Sequence, residues 1–218
     1  MLEPDEHAAF LQSVANVQDA ATKHLAANPH EVAVIVFVRN LQRGVQQVVD
    51  DAVRQQVHID CKAGCSHCCS ARVEAIAPEI FLIAAELENL SPEERNASIA
   101  RLEAHIAAAD ARDASWHTRT SCPFLVEHLC SIYAVRPAAC RKAHSLDVRS
   151  CEAHAPSIPQ DLGVALKAEA LIQGMSGAYC ARGFDGSRHE LVRSVLLCLR
   201  EPSTQARWFN GEEVFDTR

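Results

Sequence analysis

The chain has 218 residues, 48% of them apolar, and a formal net charge of −7 from 21 basic and 28 acidic residues. A chain of this length can bury roughly 70% of its unfolded surface, so a hydrophobic core is available without help from a metal. The acidic balance argues against a general DNA- or RNA-coating role, because such surfaces need excess positive charge.

The opening stretch MLEPDEHAAF is acidic where a secretory signal is basic. The longest early apolar run, Val32 to Val38, is too short and too late for a signal segment and far too short to span a membrane. The expected location is therefore the cytoplasm. Three regions are expected: an N-terminal helical region over 1–58, a cysteine-rich core with a helical insert over 59–155, and a C-terminal helical region and tail over 156–218.

A first helix is expected over 5–27, where Phe10, Leu11, Val14 and Val17 recur at helical spacing in an alanine-rich stretch. Residues 30–56 contain the β-branched run VAVIVFV, which alone reads as a strand. Ile35, Val38, Leu41, Val45, Val48, Val49 and Val53 nevertheless follow one helical face, so a helix is expected through most of the span.

A helix over 78–89 is expected to start at Pro78, whose missing N–H matters little in a first turn. Ser91-Pro92-Glu93-Glu94 reads as a capping box opening a helix to about residue 112, with Ile99, Leu102 and Ile106 as its buried stripe. Only short elements are expected in 121–155. Pro159 is expected to open a helix to about Gln173. Ser187 and Glu190 read as a capping pair for a helix over 188–200 that buries Leu191, Val195, Cys198 and Leu199. The tail carries Trp208, Phe209, Val214 and Phe215 and is expected to dock on the body. The resulting fold class is mainly α, with an irregular cysteine-rich metal-binding centre enclosed by helices. No glycine-rich strand-to-helix fingerprint points to a doubly wound α/β fold.

Ten cysteines are the anomalous feature, at 61, 65, 68, 69, 122, 130, 140, 151, 180 and 198. In a reducing compartment, clustered thiols point to metal or redox chemistry rather than to structural disulfides. The block Cys61-Lys62-Ala63-Gly64-Cys65-Ser66-His67-Cys68-Cys69 puts thiols two or three residues apart, a spacing used by both zinc and iron–sulfur sites. Cys68 and Cys69 cannot easily point the same way, so one of them can serve a second metal, donate to a different corner of a cluster, or pack inside. Cys122, Cys130, Cys140 and Cys151 complete a set of eight candidate metal ligands, enough for two sites of four or for one site with spare thiols. Cys198 reads as a core residue, and Cys180, in a flexible Gly177–Gly183 stretch, as structural. His67 is expected to face solvent or support the ligands from outside, and His128, His144 and His154 are weaker candidates.

The ordered combination Cys68-Cys69, Cys122-Pro123-Phe124-Leu125, Cys130-Ser131-Ile132-Tyr133, Arg136-Pro137 and Cys140-Arg141 resembles the YkgJ-like family of zinc- or iron-chelating cysteine clusters. The resemblance covers roughly residues 61–151. Members commonly space the first two cysteines more tightly than Cys61 and Cys65. The resemblance implies metal binding, and a related domain in flagellin lysine methylases is associated with an iron–sulfur centre. Arg136 and Arg141 can offset the negative charge of metal-bound thiolates. With Tyr133 they are candidates for the surroundings of a cofactor or pocket. Phe124, Leu125, Ile132 and Tyr133 can form an apolar cover or ordinary core.

All-thiolate coordination suits zinc or iron–sulfur and disfavours magnesium and calcium. The resemblance and the surplus of thiols favour an iron–sulfur cluster, with 4Fe-4S as one candidate type and its nuclearity left open by the sequence, and zinc as the alternative. Three functions follow: an iron–sulfur redox or accessory protein, a zinc-stabilised protein-interaction module, and a metal-dependent enzyme of unknown reaction. The expected partner is a protein or a small-molecule substrate.

Overall fold

A computed structural model describes residues 3–62, 64–111 and 120–215. Helix α1 (Pro4–Ala27) opens on a capping box in which the Glu3 and Glu6 carboxylates accept each other's first-turn N–H groups. Of its expected face, Leu11 is half exposed, and the buried residues are Ala21 and Leu25 nearer the C-terminus. The apolar run is helical as expected. It forms α2 (Glu31–Val36), which leads through a single break at Phe37 into α3 (Val38–Arg54). Phe37 keeps helical dihedrals and stacks on His24 with 4.2 Å between ring centroids. Val34, Ile35, Val38, Leu41 and Val45 are buried, whereas Val53 is exposed next to buried Ala52.

Helix α4 (Ala77–Glu88) is the central element, with every residue from Ala77 to Ala84 buried. A helix apolar all round must be covered on all sides, and α2, α3, α5 and α9 lie against it. Helix α5 (Pro92–Asp110) begins at the expected capping box, with Ser91 Oγ accepting from Glu94 N and the Glu94 carboxylate accepting from Ser91 N at 3.1 Å. Leu102 is buried, and Ile99 and Ile106 pack against the core.

The second cysteine region holds only short pieces: the hairpin β2 (Leu125–Val126) and β3 (Leu129–Cys130), a 3-10 turn (Tyr133–Val135), and helices α6 (Ala138–Lys142) and α7 (Val148–Glu152). Helix α8 (Leu162–Ala181) starts after Asp161, whose carboxylate accepts from Val164 N at 2.8 Å. It therefore begins later than Pro159 and ends well beyond Gln173. The stretch from Gly177 to Cys180, expected to be flexible, is helical. Glycine there serves close packing rather than flexibility. A Cβ on Gly174 would stand 2.6 Å from the Val17 side chain, and one on Gly177 would stand 2.7 Å from Gln18 Oε1. The two glycines let α1 lie tightly on α8.

Two short strands were not expected. Strand β1 (Glu74–Ile76) pairs antiparallel with β4 (Arg188–Glu190), joining the start of α4 to the start of α9 (Leu191–Arg200). Glu190 alone caps α9, accepting from Val192 N and Arg193 N, and Ser187 takes no part in that cap. Three-residue strands carry too little alternation to be read. The tail docks as expected. Trp208, in α10 (Thr204–Phe209), is fully buried and donates from Nε1 to Asp185 O at 2.9 Å, and Phe215 is buried beside Phe81. The described fold is mainly helical. Among the described residues, no helix is long and apolar enough to cross a membrane.

Candidate metal centre

The cysteine region is assembled by backbone hydrogen bonds between segments far apart in sequence. Asp60 N donates to Ser145 O at 2.9 Å, and Asp60 Oδ2 accepts from Val148 N at 2.9 Å. These bonds tie the start of the first cysteine block to α7, which carries Cys151. At the other end of the block, Cys122 N donates to Cys69 O at 2.7 Å. The hairpin then sets Cys130 opposite Leu125, and Ser131 closes on Phe124 O through both its N–H and its hydroxyl. The hairpin turns at Glu127 and His128, both with positive φ, which matches the twist of a two-residue connection.

Helix α6 brings in Cys140. Its first N–H, on Ala138, donates to Glu79 Oε1 at 2.7 Å, and Gln42 Nε2 reaches the same oxygen at 3.4 Å. Burial in α4 pushes the Glu79 carboxyl up to about 7 against these hydrogen bonds. No sequence pattern announces this support. The one signal is Glu79 standing alone among apolar neighbours in APEIFLIAA, residues 77–85.

The sulfurs influence one another across both blocks. Cys61 is raised by desolvation, opposed by a hydrogen bond from the Ser145 backbone, with further repulsion from Cys65, Cys68 and Cys151. The Cys68 thiol is raised chiefly because it donates a hydrogen bond to Cys69, which is lowered by the same bond. Burial raises Cys122 to about 11, against backbone hydrogen bonds from Phe124 and Leu125. Cys130 is raised by burial and opposed by the Ile132 backbone, and Cys140 is raised by burial and then by Cys122, Cys68 and Cys130. Backbone N–H groups aimed at sulfur favour the thiolate, the form that binds metal.

Arg136 and Arg141 lie beside this set. Arg136 favours the ionised forms of Cys68, Cys130 and Cys140, and Arg141 that of Cys130. Arg136 Nη2 donates to Gln46 Oε1 at 2.9 Å and its guanidinium sits 4.1 Å over the Tyr133 ring, yet its Nε is buried without a hydrogen-bond partner. Arg141 donates from Nε to Arg136 O at 3.0 Å and from Nη2 to Ala134 O at 2.7 Å, so it braces the turn as well as adding charge. Tyr133 is exposed, and of the anticipated apolar cover Phe124 and Ile132 are buried core residues.

The remaining candidates separate cleanly. His67 Nε2 lies 3.9 Å from Glu152 Oε1. His144 is buried, accepting at Nε2 from Asp161 N, which leaves Nδ1 to donate to Lys142 O at 2.9 Å. Both of its nitrogens are therefore engaged in structure. Cys198 is buried in α9, and Cys180 is exposed in the last turn of α8.

A thiophilic metal fits this region by donor chemistry, by the N–H groups directed at sulfur, and by the unpartnered guanidinium nitrogen beside the thiols. Among the described residues, no group of three or more Cys, His, Asp or Glu side chains already stands in metal-holding geometry. The thiols are gathered but not closed on one point. No curated protein and no solved structure matches the chain. Residues 60–159 match the family model CxxCxxCC, described as "Putative zinc- or iron-chelating domain".

Proposed function

We propose that residues 60–159 hold a thiolate-bound metal, an iron–sulfur cluster in a redox or accessory protein. The observation that carries the reading is that two cysteine blocks, separated by helices α4 and α5, are drawn together by the Cys69–Cys122 and Asp60–Ser145 backbone bonds. Cys61, Cys65, Cys68, Cys69, Cys122, Cys130, Cys140 and Cys151 are the proposed ligands. When bound, an iron–sulfur cluster supplies one-electron chemistry. The chain's own contribution is to orient the sulfurs, direct backbone N–H groups at them, and offset their charge with Arg136 and Arg141.

A zinc-stabilised interaction module is the second reading. Leu129, Val126 and Tyr133 favour it, since they expose apolar surface beside the cysteine hairpin. Anaerobic purification followed by iron, sulfide and zinc analysis distinguishes the two. Coloured protein with iron and acid-labile sulfide supports the first reading. Colourless protein with tightly held zinc and no sulfide replaces it with the second.

A further inference from the structure

Residues 77–84 of α4 are all buried, yet they carry a carboxylic acid into the interior. Glu79 is 3% exposed, and Gln42 of α3, also 3% exposed, lies against it. Buried polar groups persist only where their hydrogen bonds are met. One partner is local: Glu79 stands in the first turn of α4 and accepts from the backbone N–H of Ile76, the residue before the helix. The others belong to the cysteine region. Glu79 Oε1 accepts from Ala138 N at 2.7 Å, and Gln42 Nε2 reaches Val135 O at 3.4 Å as well as Glu79 Oε1 at 3.4 Å.

These two contacts fall on either side of Arg136-Pro137. The chain leaves the 3-10 turn at Val135, passes Arg136 and Pro137, and enters α6 at Ala138, with Cys140 in its first turn. Cys140 N and Arg141 N both donate to Pro137 O, at 3.0 and 3.1 Å. Cys140 is therefore tied to the same short passage that Glu79 and Gln42 hold. Proline supplies no N–H of its own, so Val135 O and Ala138 N on its flanks take that part. From the other direction, Arg141 donates to Arg136 O and Ala134 O. Helix α6 has only five residues, too few to persist without such anchors.

We propose that Glu79 and Gln42 are positioning residues for the metal centre: from the interior they set the place of Cys140 by gripping the chain on both sides of Arg136-Pro137. The inference rests on the metal-binding reading above, with Cys140 as a ligand, and adds the residues that place it. Packing alone does not call for an acid here, because an apolar side chain of similar volume is buried without the cost of desolvating a polar group. A satisfied buried polar pair fixes one arrangement of the elements it joins, whereas apolar cores tolerate several. Two residues of the core thus serve the placement of a sulfur that neither of them touches through a hydrogen bond.

The test uses full-length protein isolated with its metal under anaerobic conditions. Glu79→Leu removes the acceptor, Gln42→Leu removes the donor to Val135, and Glu79→Gln restores an oxygen for Ala138. Gly174→Ala, which loosens the contact of α1 with α8, is the control for general destabilisation. Metal affinity is read by chelator competition. Labelling of the loaded protein with N-ethylmaleimide, followed by peptide mass spectrometry, locates the thiols that open. Glu79→Leu is expected to lose about 10-fold in affinity and to label at Cys140 ahead of Cys61 and Cys151. Gln42→Leu is expected to move both readouts in the same direction, and Glu79→Gln to stay close to wild type. Gly174→Ala is expected to lower the thermal midpoint and leave both readouts unchanged. Wild-type affinity and labelling in the leucine variants, or an equal loss in Gly174→Ala, overturns the positioning role and leaves the metal-binding reading intact. Wild-type protein that holds no metal overturns both. Gln42→Leu leaves Glu79 its bonds to Ala138 and Ile76, so it decides the matter if Glu79→Leu fails to fold.

Discussion

The Cys122 amide donates to the Cys69 carbonyl at 2.7 Å, across a sequence gap that contains the whole of α4 and α5. The bond makes the last cysteine of the first block and the first of the second into neighbours. Losing a sulfur at this junction therefore removes a proposed ligand without removing a helix. Cys122→Ser and Cys140→Ser are expected to lower metal per chain while leaving helical circular dichroism near wild type. Cys180→Ser is expected to leave metal content unchanged. Cys198→Ser also leaves it unchanged but costs about 1–2 kcal/mol in stability, because it puts a hydroxyl into the core. Metal analysis and chemical denaturation of the four variants check this.

Arg136 supplies charge to Cys68, Cys130 and Cys140 and holds Gln46 and the Tyr133 face at once. Arg136→Gln removes a positive charge that would offset metal-bound thiolates. Metal affinity, read by chelator competition, is expected to fall about 10-fold or more. Arg136→Lys keeps the charge but loses the planar stack over Tyr133, so it is expected to fall between the two. Equal affinities in all three proteins would assign Arg136 to packing alone.

Glu79 gives the protein a pH dependence with a definite sign. Its folded carboxyl is raised to about 7 from an ordinary value of 4.5, chiefly by burial. The unfolded chain releases this proton first as pH rises, so the stability linked to Glu79 is present below about 4.5 and is lost as pH climbs through about 7. The size is on the order of 3 kcal/mol. Glu79→Gln keeps an oxygen for the Ala138 N–H and removes the ionisation. Denaturant titrations at pH 5 and pH 8 are expected to show a flatter profile for the variant than for wild type, with the variant the more stable at the higher pH. A wild-type stability that rises over this interval at the expense of Glu79→Gln contradicts the assignment.

Gly174 is where α8 accepts α1. With the Val17 side chain 2.6 Å from the position of an added Cβ, and the Val14 carbonyl oxygen at 2.8 Å, Gly174→Ala must push the helices apart. The expected loss is about 1–3 kcal/mol, visible as a lower thermal midpoint. The gain in helix propensity from glycine to alanine, about 1 kcal/mol, opposes it and sets the lower end. Val17→Ala in the Gly174→Ala background relieves the contact with the Val17 methyl and is expected to recover part of the loss.

The helices were legible because their signals are local. The Ser91 capping box, Pro78 in the first turn of α4, and the helical face of Ile35, Val38, Leu41 and Val45 each act within a few residues. The β1–β4 pairing was not legible, since each strand is three residues long and its partner lies more than 110 positions away. The extent of α8 was misread because Gly174 and Gly177 look like helix breakers until Val14, Val17 and Gln18 of α1 are set against them. At the candidate metal centre, residue type and spacing singled out eight thiols and two arginines as candidates. The residues that set them in place were invisible: Asp60, Gln46 and Glu79 act only through partners distant in sequence. The absence of finished metal geometry among the described residues could not be read from spacing either, because spacing fixes which sulfurs can meet and not how closely.

X-ray absorption at the metal edge of anaerobically prepared protein tests the central claim most directly. The account predicts bound metal whose nearest shell is sulfur, at about 2.3 Å if the metal is zinc. Less sulfur-ligated metal per chain is expected when Cys122 and Cys140 are both changed to serine. A nearest shell of nitrogen and oxygen only, or protein that holds no metal when made without oxygen, would contradict it.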